Sequence, residues 1–504
     1  RARCARGEAS AVSAAMEILF VSPEVVPFSK VGGLGDVVGA LPKALRALGH
    51  KVTVLSLRYG SIDPAEHALA RRLVKVKVHL GGEHVDAEVY ETRLPSGVTV
   101  VFLGAPRISD RPGVYGEGAT TYEDNHLRFG LLCKGAVAWM RMQPRVPDLV
   151  HLHDWTTGII PALLKQEAKD DPRLGLVRTV FTIHNAAHQG TFPVSTLADV
   201  GLHHAAAAHM EFYGQVSWLK AGIIDSDRVT TVSPTYAHEI VTPVGGANMD
   251  GVLRAHAKGL VGILNGIDPG VWNPSTDPHI ISRYDVVDPL PKARCKTALQ
   301  KALGLPARPD TPVLGMVARL DTQKGIDLLL GCASQLLRQD VQLVVQGSGD
   351  PEFTTALAAL AKDMPEKVAF RSEFDDGLAH RIIAGSDLFL VPSRFEPSGL
   401  TQLYAMRYGT VPVVRNTGGL RDTVVDCDAS LGTGTGFVFD ELTPDAFYGA
   451  IARGLSGYAQ TDRFASLRRR VMRLDHAWDR AARRYAAIYR ELIPGSEDGP
   501  SATA

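Results

Sequence analysis

The feature that most constrains this chain is an alternation of short β-branched runs with helical patterns, which occurs in two successive series. This alternation is typical of βα units and predicts a parallel sheet for each series. The expected strands are 18–22, 52–55, 98–103, 149–152, 180–183 and 229–232 in the first series, and 313–317, 341–345, 368–370, 388–391, 411–414 and 436–439 in the second. We therefore predict an α/β chain of two facing, doubly wound Rossmann-like domains, with ligands bound at the carboxyl ends of the strands in the cleft between them.

The same pattern gives the expected domain boundaries. Residues 16–268 form the first domain and 269–475 the second, which opens on a stretch rich in proline and aspartate that indicates a linker. Apolar residues then recur at steps of three and four from Trp478 to Leu492, which predicts an amphipathic last helix within 476–493. We expect residues 1–15 to be a targeting stub or disordered sequence upstream of Met16, and 494–504 to be a disordered tail.

Charge and composition exclude several classes of partner. Lysine plus arginine number 54 and aspartate plus glutamate number 54, so no net charge attracts nucleic acid or an anionic membrane. No apolar run approaches the roughly 18 residues of a membrane span. The five cysteines are far apart and form no CxxC pair, which indicates a reducing compartment and no structural metal.

A glycine loop follows the first predicted strand. It carries Lys30, Gly32, Gly33 and Asp36 and leads into a helix pattern. Glycines at a helix N-terminus leave backbone N–H groups open to a phosphate, and Lys30 adds a charge. The spacing matches neither GxGxxG nor the P-loop, so a phosphate site and a plain structural turn both remain open.

Charged groups also follow the strands of the second half. Arg319 and Lys324 suit a diphosphate or form a solvated basic turn. Glu396 stands before a predicted helix, where it caps that helix or accepts sugar hydroxyls. Gly418 and Gly419 repeat the arrangement of glycines at a helix start, as a second backbone cradle.

Histidines end two strands of the first half. His151 and His153 alternate faces of one strand and no third ligand is evident, so no metal site is expected there. Asp154 and His184 are better interpreted as hydrogen-bonding groups that hold a polyol.

Several motifs occur together in a fixed order: KVGGLGDV, HLHDWTTG, TIHN, ILNGID, ARLDTQKGID and SRFEPSGLTQLYAMRYGTVPVVRNTGGLRDTV. In these motifs the chain resembles the bacterial glycogen synthases and plant starch synthases of glycosyltransferase family 5, from about Met16 to Leu492. The resemblance implies a GT-B fold whose last helix crosses back to the first domain. It also implies transfer of glucose from ADP-glucose to the non-reducing 4-hydroxyl of an α-1,4-glucan, with retention of configuration and with no metal or cofactor.

The resemblance assigns roles residue by residue. Arg319 and Lys324 would hold the diphosphate, His184 would contact the transferred glucose and Glu396 its hydroxyls, while Asp154 would help to align sugar and acceptor. The substrate-binding residues that it implies are Lys30, Gly32, Gly33, Asp36, Asn185, Asn265, Phe374, Ser398, Gly399, Leu400, Thr401, Thr417, Gly418 and Gly419. Among these, Phe374 would stack on adenine, and the Gly418–Gly419 backbone would meet the distal phosphate.

Two departures and several alternatives remain. Ser398 stands where bacterial relatives commonly have cysteine, and His188 stands where tyrosine is more usual. The alternatives are a GT-B enzyme with another donor such as UDP-glucose, and a non-catalytic glucan-binding scaffold. We expect a cytoplasmic bacterial protein, or a plastid protein if residues 1–15 are the remnant of a transit peptide. Oligomeric state is not predicted.

Overall fold

Two predominantly parallel sheets, one from each half of the chain, organise the molecule. The structure is a computed structural model that describes residues 15–118, 120–203, 206–257, 259–373 and 375–493. The expected stub, apart from Ala15, and the expected tail lie outside these residues, as does Phe374. The strands are β1 Glu17–Val21, β2 Lys51–Leu57, β3 Ala70–Leu80, β4 Glu83–Arg93, β5 Thr99–Gly104, β6 Gly116–Glu117, β7 Thr120–Thr121, β8 Leu149–His153, β9 Arg178–Ile183, β10 Thr191–Phe192, β11 Glu211–Phe212, β12 Gln215–Ser217, β13 Arg228–Thr231, β14 Val261–Gly262, β15 Val313–Val317, β16 Gln342–Gln346, β17 Val368–Arg371, β18 Leu388–Val391, β19 Val411–Arg415 and β20 Phe437–Phe439.

Helices cover the sheets between these strands. They are α1 Gly33–Ala47, α2 Pro106–Ser109, α3 Asn125–Arg141, α4 Ile160–Glu167, α5 Thr196–Asp199, α6 Ala207–Met210, α7 Trp218–Asp225, α8 Pro234–Glu239, α9 Asp250–His256, α10 Lys292–Ala302, α11 Ile326–Leu336, α12 Pro351–Asp363, α13 Asp376–Gly385, α14 Thr401–Arg407, α15 Gly418–Thr423, α16 Pro444–Tyr458, α17 Thr461–Met472 and α18 Asp479–Leu492.

Strand order confirms the predicted doubly wound architecture. Within the described residues the first sheet has the order β14-β13-β9-β8-β1-β2-β5-β4-β3, and the second has the order β17-β16-β15-β18-β19-β20. In both sheets the chain starts near the middle and reverses its direction of winding, which leaves a crevice at the carboxyl ends of the central strands. β8, β16 and β18 are buried along their whole length, as parallel strands covered on both faces are.

The first sheet is larger than the sequence analysis predicted. β3 and β4 form an antiparallel hairpin at its edge, and β4 pairs with β5. The turn runs through Gly81 and Gly82, whose φ angles of 59° and 79° favour glycine. Alternation places Val76 and Val78 in the core and charged side chains outside. The hairpin has no helix between its strands, so a search for βα units misses it.

The last helix packs on the first domain, as predicted. Tyr485 and Tyr489 of α18 are buried in the first hydrophobic core. The Tyr489 hydroxyl hydrogen-bonds His151 Nδ1 of β8 at 2.7 Å, and Arg228 pairs with Glu491 at 3.1 Å. The chain therefore crosses between its halves twice.

The two crossings lie side by side. The Ile267 N–H, where the chain leaves the first half, donates to the His476 carbonyl, where it returns, at 2.8 Å. The following stretch, 269–291, contains no helix or strand among the described residues, but Trp272 and Tyr284 pack in the second core. The expected linker is thus a packed connector.

No helix in the described part of the chain is long and apolar enough to cross a membrane.

Candidate active site

Loops from both domains meet at the carboxyl ends of the two sheets. The glycine loop after β1 faces the loop before α14, since a Cβ added at Gly33 would lie 3.4 Å from Leu400 Cδ1. A Cβ at Gly32 would meet nothing within 4 Å, so this side of the loop is open. Two residues that the sequence assigned to substrate binding, Gly33 and Leu400, are therefore neighbours across the cleft.

A buried carboxylate shapes the glycine loop. Glu24 Oε2 accepts the N–H groups of Val31 at 2.7 Å and Gly32 at 3.0 Å, and Tyr115 donates its hydroxyl to Glu24 Oε1 at 2.7 Å. Burial raises the pKa of Glu24 above its ordinary value, although these donors oppose the shift. The Gly32 N–H, which was expected to be open to phosphate, thus already has a partner.

Lys30 and Asp36, at the two ends of the same loop, form an ion pair of 2.8 Å. Desolvation raises the pKa of Asp36, and the Lys30 ammonium opposes this shift. Tyr404 and Asp376 of the second domain also interact electrostatically with Asp36. Lys30 therefore stands at the boundary between the domains.

Asp154 has the most unusual backbone of the cleft. Its φ of 56° and ψ of −177° are rare for a residue other than glycine, and such strain clusters at functional sites. Its Oδ1 accepts the N–H groups of His184 at 2.7 Å and Asn185 at 3.4 Å. Burial raises the pKa of Asp154 to about 7, although both N–H groups oppose the shift. The structure thus brings together three predicted site residues from β8 and β9.

The His184 ring rests on a layer of buried histidines. His184 Nε2 and His153 Nδ1 are 2.9 Å apart, and His151 Nε2 lies 2.6 Å from the Thr182 hydroxyl. Burial lowers the pKa of His184 to about 3, and it lowers those of His151 and His153 well below their ordinary values. All three imidazoles are therefore neutral near pH 7, able to donate or accept a hydrogen bond but not to carry charge.

The cations of the second domain lie at the end of β15. Arg319 is exposed and pairs with Asp321. Lys324 Nζ donates to Glu396 Oε2 at 2.6 Å, and Ser393 donates its hydroxyl to the same oxygen at 2.8 Å. Glu396, only 7% exposed, is thus held by Lys324 and has no N–H partner in the described structure of the kind a helix cap would take.

Arg319 faces the first domain across the cleft. His188 lies close enough that, after desolvation, the Arg319 guanidinium is the next cause that lowers the His188 pKa. The predicted diphosphate site and the loop after β9 therefore share one crevice.

Gly418 and Gly419 allow two loops of the second domain to pack closely. A Cβ at Gly418 would lie 2.0 Å from the Glu396 carbonyl oxygen, and one at Gly419 would lie 2.0 Å from the Ser398 carbonyl oxygen. The Gly418 N–H and the Thr417 hydroxyl donate to Glu239 of the first domain at 2.9 and 3.0 Å. The expected backbone cradle therefore holds a carboxylate of the opposite domain.

The other predicted residues have varied surroundings. Asn265 Oδ1 and Ser398 Oγ are buried polar atoms without a hydrogen-bond partner. Gly399 has a φ of 66°, and Thr401 begins α14. Phe374 lies outside the described residues, so its stacking on adenine stays a prediction.

Four residues that build this site were not predicted from the sequence. They are Glu24, Tyr115, Tyr236 and Glu239. Tyr236 accepts the Ala186 N–H at 3.0 Å. Burial raises the pKa of Tyr236, and the charges of Asp154 and Glu396 raise it further, so Tyr236 lies near both carboxylates. Glu24 comes three residues after the end of β1, and this position was the one available signal.

This arrangement suits transfer from a phosphate leaving group. One wall offers Arg319 and Lys324, two cations of the kind that can stabilise negative charge on a departing diphosphate. The other offers neutral imidazole and a carboxylate whose pKa is near 7, which are suited to hydroxyl groups.

Comparisons with known proteins agree with this geometry. Residues 17–255 match the family model of the starch synthase catalytic domain, and residues 303–470 match that of glycosyl transferases group 1. Glycogen synthase from Anaeromyxobacter dehalogenans (strain 2CP-1 / ATCC BAA-258) is 49% identical over 483 residues, 95% of this chain and all of that protein. Glycogen synthase from Myxococcus xanthus (strain DK1622) is 42% identical over 482 residues, with the same two shares.

Solved structures of similar proteins match this chain over nearly its whole length. The catalytic domain of Starch Synthase IV from Arabidopsis thaliana, bound to ADP and acarbose, matches with a TM-score of 0.89 and 33% identity over 95% of this chain and all of that chain. Sucrose-phosphate synthase from Thermosynechococcus elongatus matches with a TM-score of 0.60 at 19% identity, over 94% of this chain and 98% of that chain. At this low identity the match supports the fold alone.

Proposed function

This chain belongs to the glycogen synthase and starch synthase family of glycosyltransferases, and from that premise we propose how its cleft works. It is a hexosyltransferase that carries glucose from ADP-glucose to the non-reducing 4-hydroxyl of an α-1,4-glucan, and so elongates glycogen or starch. The observation that carries the proposal is the meeting of Arg319 and the Lys324–Glu396 pair with the Asp154–His184 wall in one crevice.

The leaving group is stabilised by charge. As the bond from glucose to phosphate breaks, negative charge grows on ADP while positive charge grows at the anomeric carbon. We assign Arg319 and Lys324 to the diphosphate, where a fixed cation contributes a few kcal/mol to the transition state. Arg319, on the exposed rim, turns from Asp321 to the donor, while Lys324 is already fixed by Glu396.

The sugar is held between two carboxylates. We assign Glu396 to the hydroxyls of the transferred glucose, because it is buried and ionically paired at the mouth of the second sheet. Asp154 would accept a hydroxyl on the acceptor side, and His184 would contact the glucose as a neutral ring. Same-face attack, in which the departing phosphate takes the proton of the acceptor hydroxyl, uses these groups without a protein nucleophile.

We assign the remaining binding residues to ligand groups according to where they lie in the cleft. Lys30, Gly33 and Asp36 would meet the donor phosphate or a sugar on the first-domain side. The unpartnered oxygens of Asn265 and Ser398 are suited to hydroxyls of a ligand. The Gly418–Gly419 backbone would reach the distal phosphate only if Glu239 withdraws.

We propose that the domains divide at residues 268 and 475. Support comes from the two chain crossings, which adjoin at Ile267 and His476, and from Trp478 and Tyr489, which pack in the first core. We also propose a bacterial cytoplasmic location, supported by the bacterial sources of the relatives and by four unpaired buried cysteines in the described chain.

One experiment tests the function directly. The protein is incubated with glycogen, a chelator and labelled ADP-glucose or UDP-glucose, and label in washed polymer is counted. We expect incorporation from ADP-glucose that exceeds incorporation from UDP-glucose. Equal use of UDP-glucose would contradict the donor assignment, and failure with both donors would leave only a glucan-binding scaffold.

A further inference from the structure

A second cluster of ligand atoms lies where the packed connector meets α13, on the second-domain side of the Lys30–Asp36 boundary, since Asp376 also interacts electrostatically with Asp36. One ligand atom from each of His279, Asp376 and His380 lies within 4.8 Å of the others. His279 and Asp376 are exposed, whereas the His380 side chain is 1% exposed. The cluster thus has one buried member and two exposed members.

The His380 ring is held in one orientation. His380 Nδ1 lies 2.7 Å from Asp277 Oδ2, and this oxygen also accepts the Tyr408 hydroxyl at 2.6 Å. Trp272 stacks on the imidazole with ring centroids 3.8 Å apart and an angle of 9°. The ring has no freedom to turn away from Asp277.

This orientation leaves a ligand-ready nitrogen. A carboxylate oxygen accepts, so Nδ1–H donates to Asp277, and Nε2 is the ring nitrogen left for a ligand. Nε2 is buried without a hydrogen-bond partner and lies 3.9 Å from Asp376 Oδ2, too far for a hydrogen bond. A histidine whose second nitrogen is held by a carboxylate is the usual form of a metal-binding histidine.

We propose that His279, Asp376 and His380 bind one zinc-type divalent transition metal ion, with Asp277 as the residue that positions His380. Two imidazole nitrogens and one carboxylate oxygen suit Zn²⁺, with water as a fourth ligand. Tetrahedral ligands at about 2.1 Å stand roughly 3.4 Å apart, so the exposed His279 and Asp376 side chains must move inward by about an ångström. The ion joins the connector to the start of α13.

Zinc titration of the full, tag-free protein tests the proposal. Calorimetry is expected to show one equivalent bound, with affinity at least tenfold lower in His279→Ala and in Asp376→Asn. Both substitutions alter exposed side chains, so the fold is retained. Unchanged binding in both variants, or no stoichiometric binding by the parent protein, would overturn the site.

A matched control comes from another pair of histidines. His79 and His84 face each other across the β3–β4 hairpin, with ring centroids 5.0 Å apart, and both are exposed. The double variant His79→Ala/His84→Ala is expected to bind zinc like the parent. Loss of the bound equivalent in this variant would place the ion on the hairpin and refute the proposal.

Tryptophan fluorescence gives a readout that reports the place of the ion. Paramagnetic Co²⁺ at Nε2 would lie beside Trp272, one of five tryptophans, and quench its share of the emission. We expect saturable quenching in the parent protein and none in His279→Ala. Equal quenching in both proteins would contradict the site. The chelated transfer assay above is independent of this result.

Discussion

Single carboxylates fix the loops of the cleft, and each of them accepts a hydrogen bond from a residue at least 91 positions away in sequence. Glu24 holds the loop at Gly32, and Glu239 holds the loop at Gly418 from the opposite domain. Sequence patterns identified both glycine loops but not these carboxylates, because no local period signals a contact between residues 239 and 418. The glycines were predicted as open cradles, and at Gly418 the requirement is instead the close approach of the Glu396 carbonyl.

The first residue-scale prediction concerns Asp154. With a pKa of about 7, its carboxylate form is lost as the pH falls below neutrality. Because the role proposed for Asp154 is to accept a sugar hydroxyl in its carboxylate form, we expect kcat/KM for glycogen to fall on the acid side with a midpoint near pH 7. Asp154→Asn should lower kcat/KM by about 10- to 100-fold, the value of a charged hydrogen bond of roughly 1.5–3 kcal/mol, and remove this pH limb. An unchanged acid limb in the variant would assign it to another group.

The same pKa fixes the sign of a stability effect. The pKa of Asp154 is higher in the folded protein than its ordinary value of 3.8. Ionisation therefore opposes folding, and the contribution of the neutral form is complete below pH 3.8 and lost as the pH rises to about 7. Urea unfolding between pH 4 and 7 should show a shallower loss of stability in Asp154→Asn than in the parent. A steeper loss of stability in the variant would mean that folding does not raise the pKa of Asp154.

The second residue-scale prediction concerns the cations. Arg319→Ala or Lys324→Ala should lower kcat by about 10²–10³ or more for each lost donor. We expect little change in melting temperature for the exposed Arg319, whereas Lys324→Ala also unpairs the buried Glu396 and should lower the melting temperature. Lys301→Ala and Arg308→Ala, which alter exposed side chains of the same domain, are the matched controls. Near-normal turnover in either cleft variant would remove that residue from the leaving-group site.

At the scale of elements, βα alternation made the parallel strands predictable. The strands of the second sheet fall close to their expected ranges, and α18 follows the amphipathic pattern. The β3–β4 hairpin was not predicted, although its period-two alternation is visible in KVKVHL. It adds an antiparallel edge to a parallel sheet, which βα alternation does not encode.

A prediction at this scale concerns the anchor of α18. Tyr489→Phe deletes the hydroxyl that bonds His151 Nδ1 and leaves a buried nitrogen unpaired, at a cost of about 1–3 kcal/mol. We expect a lower melting temperature and faster hydrogen exchange in β8 and α18, measured by mass spectrometry. Arg483→Ala, on the exposed face of α18, is the control. Equal exchange in the two variants would show that the hydroxyl contributes nothing.

At the scale of the whole molecule, the contact of α8 with α15 holds the domains together. Asp422 accepts the Thr235 N–H at 2.8 Å and the Thr235 hydroxyl at 2.7 Å, and Ser233 donates to the Pro397 carbonyl at 2.6 Å. Ser233 also packs on Gly262, where a Cβ would lie 2.1 Å from the Ser233 carbonyl oxygen, so these bonds lie close to the adjoining chain crossings at Ile267. Closure about those crossings would exclude water from the donor.

We expect Asp422→Ala to open the domains. Its radius of gyration in small-angle X-ray scattering should exceed that of the parent protein, and ADP should partly restore the smaller value, because ligand contacts replace the lost bonds. KM for ADP-glucose should rise more than kcat falls. Asp310→Asn, at an exposed aspartate of the same domain, serves as control. A scattering curve identical to that of the parent would mean that this contact does not set closure.

The position of α18 also has a consequence for biosynthesis. The first core includes Tyr485 and Tyr489, which the ribosome adds only after the entire second half. The first half therefore emerges with an uncovered apolar groove and completes its packing only after translation has passed residue 489. A nascent chain stalled anywhere in the second half would expose that groove to chaperones and proteases.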